Sequence, residues 1–355
     1  MPSLFDLSGN RRLRGATAAL AVVVGLSVPL LGVACTNQPD SPSQPAGAPS
    51  PSPSAIPPIR TTAAAPSQPA EPFTQRDSAN QDNSGSSQPT SQPAHAFTAI
   101  AAGDWHSCGI RADSTAECWG YSSSGGANAP AGAFTAIAAG HSHSCGIRAD
   151  STAECWGWNA FGQADAPAGA FTAIAAGFGR SCGIRADNTA ECWGKGYVDP
   201  AGAFTAITAG SSHSCGIRAD STAECWGSNR DGRADAPAGA FTAIAAGGYH
   251  SCGIRADNTV ECWGSNLYGQ SSAPEGAFTA ITAGSSHSCG IRADSTAECW
   301  GGNWDGQAEA PAGAFTAITA GYYYSCGIRA DNITECWGNN ELGQADAPAG
   351  AFWAN

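Results

Sequence analysis

The stretch HSCGIRADSTAECWG, residues 106–120, places two cysteines ten positions apart around a short polar turn. Near-copies recur down the chain, and successive cysteine pairs begin 37 residues apart, except for one step of 33 residues. The pairs are Cys108 and Cys118, Cys145 and Cys155, Cys182 and Cys192, Cys215 and Cys225, Cys252 and Cys262, Cys289 and Cys299, and Cys326 and Cys336. A fixed period of this length is typical of propellers, solenoids and other repeat arrays.

Each unit predicts three short strands. In the first unit they are FTAIAAG, SCGIRA and TAECWG, and strict alternation would place Phe97, Ala99 and Ala101 on one face. No window of the repeats has a sustained helical period, and evenly spaced short strands indicate a closed all-β architecture. We therefore predict a seven-bladed β-propeller of three-stranded repeats of about 37 residues over residues 96–355, with the alanine-rich first strands at the crowded axis.

The register of the hairpin indicates what the paired cysteines do. With the turn centred on Asp113, Cys108 lies opposite Cys118, and Ser114, the last of three loop residues, takes a left-handed conformation. The cysteines then form a non-hydrogen-bonded pair with Cα atoms about 4.5 Å apart, within disulfide reach. Zinc sites have more closely spaced cysteines and four ligands. We predict a disulfide within each unit, and no metal or cofactor.

Residues 1–34 resemble a lipoprotein-type signal peptide. Three arginines precede a stretch of fourteen mostly apolar residues, which is too short to span a bilayer. It leads to LGVAC at residues 31–35, which is similar to the bacterial lipobox, although Gly32 stands where Leu, Val or Ile is usual. We expect Cys35 to be lipidated, and an ordinary secretory signal cut near Ala34 is the alternative. In both cases we expect export, to the outer face of the cell membrane as a lipoprotein, or to the cell surface or the medium as a secreted protein.

Residues 35–95 predict a disordered tether. They are mostly Pro, Ser, Ala, Gln and Thr, with almost no large apolar side chains to bury. An extended segment of this kind has a reach of up to about 190 Å. Export also exposes the cysteines to an oxidising compartment, which favours the disulfides.

The repeat contains further recurring features. In the fifth unit they are Ala246-Gly247 at the end of the first strand, His250-Ser251 after it, Asp257-Asn258 in the turn, and WGSNLYGQ at residues 263–270. This pattern, repeated over residues 96–350, resembles the repeat of the regulator of chromosome condensation family. The short unit is most similar to compact bacterial propellers, including the propeller-type β-lactamase inhibitory protein. The paired cysteines, and Ser or Asn where the turn usually has Gly, depart from both.

The resemblance implies a propeller, and it also suggests two activities known from similar proteins. The nuclear member of the family binds chromatin and activates a small GTPase, so guanine nucleotide exchange is a remote alternative by analogy of fold. The net charge of −13 and the single lysine, Lys195, argue against binding of nucleic acid. Export and the short repeats argue against the exchange activity as well. A role like that of the β-lactamase inhibitor remains an alternative.

Polar residues at fixed positions of the repeat are interpreted as structural. Histidine precedes the Ser-Cys pair in five units, and we expect it to bond to loop backbone in preference to forming a ring that handles metal or protons. Glu117 and Arg111, with their equivalents, predict a cross-strand ion pair. No nucleophile–base pair, catalytic carboxylate pair or phosphate loop is recognisable, so an enzyme is not expected. The five histidines are His106, His143, His213, His250 and His287, and Arg180 and Tyr324 replace them elsewhere.

The units differ mainly in two loops, which the strand directions place on the same rim. These loops are rich in Trp, Tyr and Phe, which are enriched at binding hot spots. We expect a monomeric scaffold that binds an extracytoplasmic protein there. A cell-wall glycan or adhesion ligand is a second possibility, and tolerated variation of loops a third. The candidate partner-binding residues are Trp105, Tyr121, Trp158, Phe161, Tyr249, Tyr268, Trp304, Tyr322 and Tyr323.

Overall fold

The computed structural model describes residues 96–196 and 199–348. Within these ranges, twenty-one strands form seven antiparallel sheets, each built from three consecutive strands. We call the sheets blades 1–7 in chain order. The predicted all-β propeller of seven short three-stranded repeats is confirmed. The proposed signal peptide, Cys35, the tether, residues 197–198 and the C-terminal residues 349–355 lie outside the described residues.

The strands keep their lengths from blade to blade. The first strands are β1 (Phe97–Ala102), β4 (Phe134–Ala139), β7 (Phe171–Ala176), β10 (Phe204–Ala209), β13 (Phe241–Ala246), β16 (Phe278–Ala283) and β19 (Phe315–Ala320). The second strands are β2 (His106–Arg111), β5 (His143–Arg148), β8 (Arg180–Arg185), β11 (His213–Arg218), β14 (His250–Arg255), β17 (His287–Arg292) and β20 (Tyr324–Arg329). The third strands are β3 (Ala116–Gly120), β6 (Ala153–Gly157), β9 (Ala190–Gly194), β12 (Ala223–Gly227), β15 (Val260–Gly264), β18 (Ala297–Gly301) and β21 (Thr334–Gly338). A 3-10 turn, Arg230–Gly232, lies in a loop of blade 4.

A bulge in the first strand overturns the predicted alternation of its side chains. Phe97 pairs with Arg111, but Ala99 pairs with Ile110, so Thr98 is the extra residue. The extra residue shifts the alternation by one position, and Phe97 therefore faces the opposite side of the sheet from Ala99. The prediction that these two share a face was wrong. The same shift occurs in the first strand of each described blade.

The bulge lets neighbouring blades pack against each other. Cys108 and Ile110 on one face of blade 1 contact Phe134 and Trp156 on the facing side of blade 2. Equivalent clusters lie between blades 4 and 5, 5 and 6, and 6 and 7. Burial of a phenylalanine side chain of this kind contributes about 2–3 kcal/mol. The core of this propeller is therefore divided among the interfaces between blades.

The first strands surround the axis, as predicted. Ile100, Ile137 and Ile174, with the small residues around them, line a central channel of about 250 Å³. The next strand is crowded as well, because a Cβ at Gly109 would lie 2.4 Å from the Phe97 ring. Glycine at this position thus allows the ring to lie flat across the sheet.

The predicted disulfides and their hairpin register are confirmed. Cys108 pairs with Cys118 in the ladder, their Cα atoms are 4.0 Å apart, and they form a disulfide. The other six predicted pairs of the described blades form the same bond. Ser114 has the expected positive φ, 69°. The predicted ion pair of Arg111 with Glu117 is present, and it recurs in the other blades that the structure describes.

The repeated histidines join adjacent blades, and the expectation of a bond to loop backbone was wrong. His106 Nε2 lies 2.7 Å from Ser144 Oγ of the next blade, and the other four histidines repeat this contact at 2.7–2.8 Å. Arg180 takes over the role in blade 3 by donating to Ser214 Oγ at 3.1 Å. Burial lowers the pKa of His106 to about 4, so its imidazole is neutral at physiological pH.

Blades 7 and 1 close the ring with the same contact. Tyr324 replaces the histidine in blade 7, and its hydroxyl lies 2.8 Å from Ser107 Oγ of blade 1. The hydroxyl also donates to the His106 carbonyl at 2.8 Å. Phe97 and Trp119 of blade 1 pack against Ile328 of blade 7. The described residues thus close the ring between two complete blades.

Candidate functional site

The two variable loops of each blade meet at one edge of the propeller. The first strand is antiparallel to the second, and the second to the third, so the first and third strands end on the same side. We call this edge the loop rim; in blade 1 it comprises the residues after Gly103 and after Gly120. The opposite edge, the turn rim, carries the tight turns such as Asp113-Ser114.

A chain of touching aromatic rings crosses the loop rim. Neighbouring ring centroids lie 4.2–6.2 Å apart, within the range of favourable aromatic pairs. The chain begins in blades 2 and 3, passes through blade 1 and ends in blades 7, 6 and 5. We call it the aromatic band. Its members, in order of contact, are Phe161, Trp158, Phe178, His141, Trp105, Tyr322, Tyr323, Trp304 and Tyr268.

The band contains seven of the nine predicted partner-binding residues. Tyr121 and Tyr249 are exposed on the loop rim but form no ring contact within the band. Tyr249 lies instead near Arg233, whose guanidinium carbon is 5.3 Å from the centre of its ring. The sequence interpretation missed His141 and Phe178. Both follow the Ala-x-Gly end of a first strand, as Trp105 nearly does, and this shared position was the signal that could have found them.

Part of the band is held in place before any partner binds. Trp105, Trp158, Tyr322 and Tyr323 are half-buried among neighbouring rings, whereas the outer rings project further into solvent. Trp304, next to the end of the band, is 56% exposed. Side chains fixed in this way lose little conformational freedom when a partner covers them.

Hydrogen bonds add to this order at the centre of the band. His141 Nδ1 donates to Asp104 Oδ2 at 2.5 Å, and His141 Nε2 accepts from Trp105 Nε1 at 3.3 Å. Both ring nitrogens of His141 are therefore occupied, which fixes its tautomer and orientation. A hydrogen bond with Tyr323 raises the pKa of Tyr322 to about 12, so this hydroxyl stays protonated.

A cavity of about 390 Å³ opens beside the centre of the band, next to the mouth of the channel. We call it the mouth cavity. Its walls combine aromatic rings with positive and negative groups. Blade 3 borders it with a loop that is four residues shorter than in other units. The lining includes Trp105, Phe178, Lys195, Tyr249 and Tyr322.

A second cavity, of about 350 Å³, lies at the end of the band between the loops of blades 5, 6 and 7. We call it the outer cavity. It is lined by Tyr268, Trp304, Asp305 and Tyr323. The Trp304 ring is nearly perpendicular to those of Tyr268 and Tyr323, at 84° and 86°.

The turn rim is uniform by comparison. In blade 1, Asp113 Oδ1 accepts from the Thr115 backbone N at 2.9 Å and from its Oγ1 at 2.6 Å. These bonds hold the pKa of Asp113 below its usual value. Five other blades repeat the arrangement with an aspartate and a threonine. The turn rim therefore presents nearly the same polar turn in each of these blades, whereas the sequence differences between blades lie in the loops of the loop rim.

Residues 96–196 and 199–348 contain no group of three or more His, Cys, Asp and Glu side chains able to hold a metal ion. No helix in the same ranges is long and apolar enough to cross a membrane.

The fold and the site define a class of protein: a seven-bladed β-propeller with a disulfide in each described blade and an aromatic surface on one rim. The profile of the regulator of chromosome condensation (RCC1) repeat matches residues 97–125, 134–163, 204–233 and 241–270. The chain belongs to this repeat family. None of the curated proteins compared matches the sequence significantly.

Solved structures share the fold of this chain. The ectodomain of the Physcomitrella patens receptor kinase CR4 is 30% identical, with a TM-score of 0.62 over 69% of this chain and 73% of that one. The CRINKLY WD40 ectodomain of the Arabidopsis thaliana receptor kinase ACR4 is 28% identical, with a TM-score of 0.59 over 70% and 98%. Yeast RCC1 (Prp20), solved bound to Kap60, shares the fold at 14% identity, with a TM-score of 0.55 over 77% and 87%.

Proposed function

We propose that this protein is an exported, non-catalytic scaffold that docks an extracytoplasmic protein on its loop rim. The observation that carries the proposal is the aromatic band, a continuous row of nine rings on the variable rim of a repeated frame. Trp and Tyr dominate the energy of many protein interfaces because they bury a large area at a small entropic cost. Propellers of this family generally act as scaffolds for protein partners.

The mouth cavity gives such an interface a centre. Trp105, Phe178, Tyr249 and Tyr322 provide apolar walls into which a large partner side chain would insert. Hot-spot residues usually lie in central pockets of this kind, surrounded by contacts that exclude water. Lys195 beside these walls, with its Nζ 5.4 Å from the centre of the Phe161 ring, would orient an acidic group of the partner.

Several considerations support export. The sequence of residues 1–35 has the order of a lipoprotein signal, and lipidation of Cys35 would tether the propeller to the outer face of the membrane. The fourteen cysteines of the described blades are all in disulfides, which persist in oxidising compartments. The two plant structures that resemble this chain are ectodomains.

A cell-wall glycan is the second candidate. The exposed ring of Trp304, next to the end of the band, favours it, since an amphipathic ring of this kind offers a face on which a sugar ring could pack. A band that mixes rings with Lys195, Asp104 and Asp305 across several blades suits the varied surface of a protein better. Inhibition of an enzyme of the β-lactamase type would be a special case of the protein-binding role.

The test compares matched variants of the two rims. Trp105→Ala, at the centre of the band, should weaken binding of a captured extracytoplasmic partner by about 2 kcal/mol, or roughly thirtyfold in Kd, in titration calorimetry. Ser114→Asn on the turn rim should leave Kd unchanged, and Asn already occupies this position in blades 3, 5 and 7. Equal losses from both variants, or a loss that follows a lower melting temperature, would refute the proposal. Binding to purified cell-wall glycan alone would favour the second candidate.

A further inference from the structure

We propose that the outer cavity is an aromatic cage that binds the cationic end of a lysine or arginine side chain. This inference rests on the proposed function, because it names the chemistry that the protein partner presents at one end of the band. The cage consists of Tyr268, Trp304, Asp305 and Tyr323.

The walls of the cavity are suited to a cation. A positive charge is attracted to the face of an aromatic ring within about 6 Å of its centre, and sites with several rings bind organic cations for this reason. Trp304 stands nearly perpendicular to both tyrosines, with centroids 4.5 Å from Tyr268 and 6.0 Å from Tyr323. The three rings come from loops of three different blades, so they bound the cavity from different directions. A guest of the width of an ammonium or guanidinium group can contact more than one of them.

The carboxylate in the cage is available to pair with such a guest. Asp305 and Asp231 hold the same position of the repeat, four residues after the Trp-Gly pair. Asp231 is neutralised by Arg233 of its own loop, with Oδ2 and Nη2 3.1 Å apart. Asp305 forms no ion pair with any residue that the structure describes, and its Oδ1 accepts only a long 3.5 Å bond from Asn339. Its charge therefore remains uncompensated beside the three rings.

The charge of the whole chain favours a basic partner. The net charge is −13, and an arginine in each described hairpin is already paired with a glutamate of the same hairpin. An acidic surface attracts basic groups within about a Debye length and speeds their association. Lys195 and Arg230, two other basic side chains of the rim, belong to blades 3 and 4 and do not line the cage.

Continuity with the band favours a side chain of a protein over a free cation. Tyr323 belongs both to the cage and to the band, where its ring centroid lies 4.2 Å from that of Tyr322. A partner that covers the band therefore also covers the cage. The lysine or arginine side chain of this partner would lose its hydration on binding and would contact the aromatic rings and pair with Asp305 instead.

Short peptides test the cage without any partner. The full-length protein, labelled with nitrogen-15, is titrated with acetylated and amidated Gly-Lys-Gly, Gly-Arg-Gly and Gly-norleucine-Gly, and with choline. The readout is the indole N–H resonance of Trp304, assigned by its absence in Trp304→Phe. We expect saturable shifts with the lysine or arginine peptide, with a Kd on the order of a few millimolar, and none with norleucine. Equal binding of norleucine, or tighter binding of choline than of both cationic peptides, would overturn the assignment.

Two variants and a matched control separate charge from ring contact. Asp305→Asn should raise the Kd of the cationic peptide about threefold. Asp231→Asn, at the same repeat position in blade 4, should leave this Kd unchanged. Tyr268→Leu keeps apolar bulk but removes an aromatic ring, and it should raise the Kd of the cationic peptide by a similar factor. Equal effects of Asp305→Asn and Asp231→Asn would show that only net charge matters and would overturn the cage. If the peptides fail to bind while Trp105→Ala still loses the partner, the cage alone is wrong and the docking rim stands.

Discussion

At the scale of single residues, burial decides the chemistry of the repeated histidines. Each described histidine of the Ser-Cys motif is enclosed between two blades, and its Nε2 contacts a serine of the next blade. A charged imidazole would lose hydration there without gaining a carboxylate, so the neutral form is strongly favoured. The five buried histidines therefore make the stability of the interfaces between blades decrease in acid.

The pH dependence of stability should reveal this burial. Burial lowers the pKa of His250 to about 3, whereas its pKa in the unfolded chain is about 6.5. Below pH 6.5 the His250 imidazole is protonated in the unfolded chain but stays neutral in the folded protein. The free energy of unfolding therefore falls as the pH drops toward 3. His250→Gln cannot take up this proton, and the slope of unfolding free energy between pH 6 and 4 should become shallower by about 1.4 kcal/mol per pH unit. Urea unfolding at several pH values measures this slope for the wild type and for His250→Gln. Identical slopes of the two proteins between pH 6 and 4 would contradict the burial of His250. Above pH 7 the two slopes should agree.

At the scale of the element, the disulfide serves both the hairpin and the joint between blades. Cys108 and Cys118 lie on one face of blade 1, and this face packs against Phe134 and Trp156 of blade 2. The small first strands bury little apolar surface of their own, so a covalent link within each hairpin compensates for a thin core. Since the sulfur of Cys108 is fully enclosed, reducing agents reach it only after local opening.

Removal of one disulfide should therefore cost stability without changing the fold. The double variant Cys252→Ala, Cys262→Ala opens a short loop, and the unfolding free energy should fall by about 2–3 kcal/mol. Denaturant unfolding measures the loss. Mass spectrometry of unreduced wild-type protein, cut after aromatic residues only, should find each hairpin as a single peptide that holds both of its cysteines in an internal disulfide. Links between hairpins, or a double variant as stable as the wild type, would contradict the register.

At the scale of the whole molecule, the ring of described blades depends on the closure between blades 7 and 1. Tyr324→Phe removes the hydroxyl that contacts Ser107 and the His106 carbonyl, and the unfolding free energy should fall by about 1 kcal/mol. Tyr121→Phe is the matched control, since the Tyr121 ring is exposed on the loop rim, and its effect should be close to zero. A fall as large in the control would show that closure does not depend on this hydroxyl.

Attachment to the membrane is the second prediction at this scale. Cys35→Ala removes the proposed site of lipidation and should release the protein from membranes of its native host, because the polar tether has little affinity for lipid. Thr36→Ala is the neighbouring control and should stay in the membrane fraction. Fractionation followed by immunoblotting measures both, and a Cys35→Ala protein that still sediments with membranes would refute the anchor.

The sequence by itself determined the number of repeats, the three strands of each, the hairpin register, the disulfides and the rim that carries the variable loops. These features depend on spacing and on contacts between residues fewer than about fifteen positions apart, as with Cys108 and Cys118. Periodicity of two also predicted the faces of the first strand, and there the bulge at Thr98 made the prediction wrong. A one-residue bulge leaves no mark in the pattern, because its benefit comes from packing Phe97 between two blades.

Only the tertiary structure decided which distant residues meet. The contact of His106 with Ser144, the closure of Tyr324 on Ser107, and the aromatic band from Phe161 to Tyr268 all join different blades. The same holds for His141 and Phe178, whose place in the band depends on the angle between neighbouring sheets. Asp305 and Asp231 are equivalent in the repeat, and only the folded loops decide that one is neutralised by an arginine while the other faces a cavity of rings. Sequence spacing specifies neighbours along the chain, whereas closure of the ring sets the distances between blades.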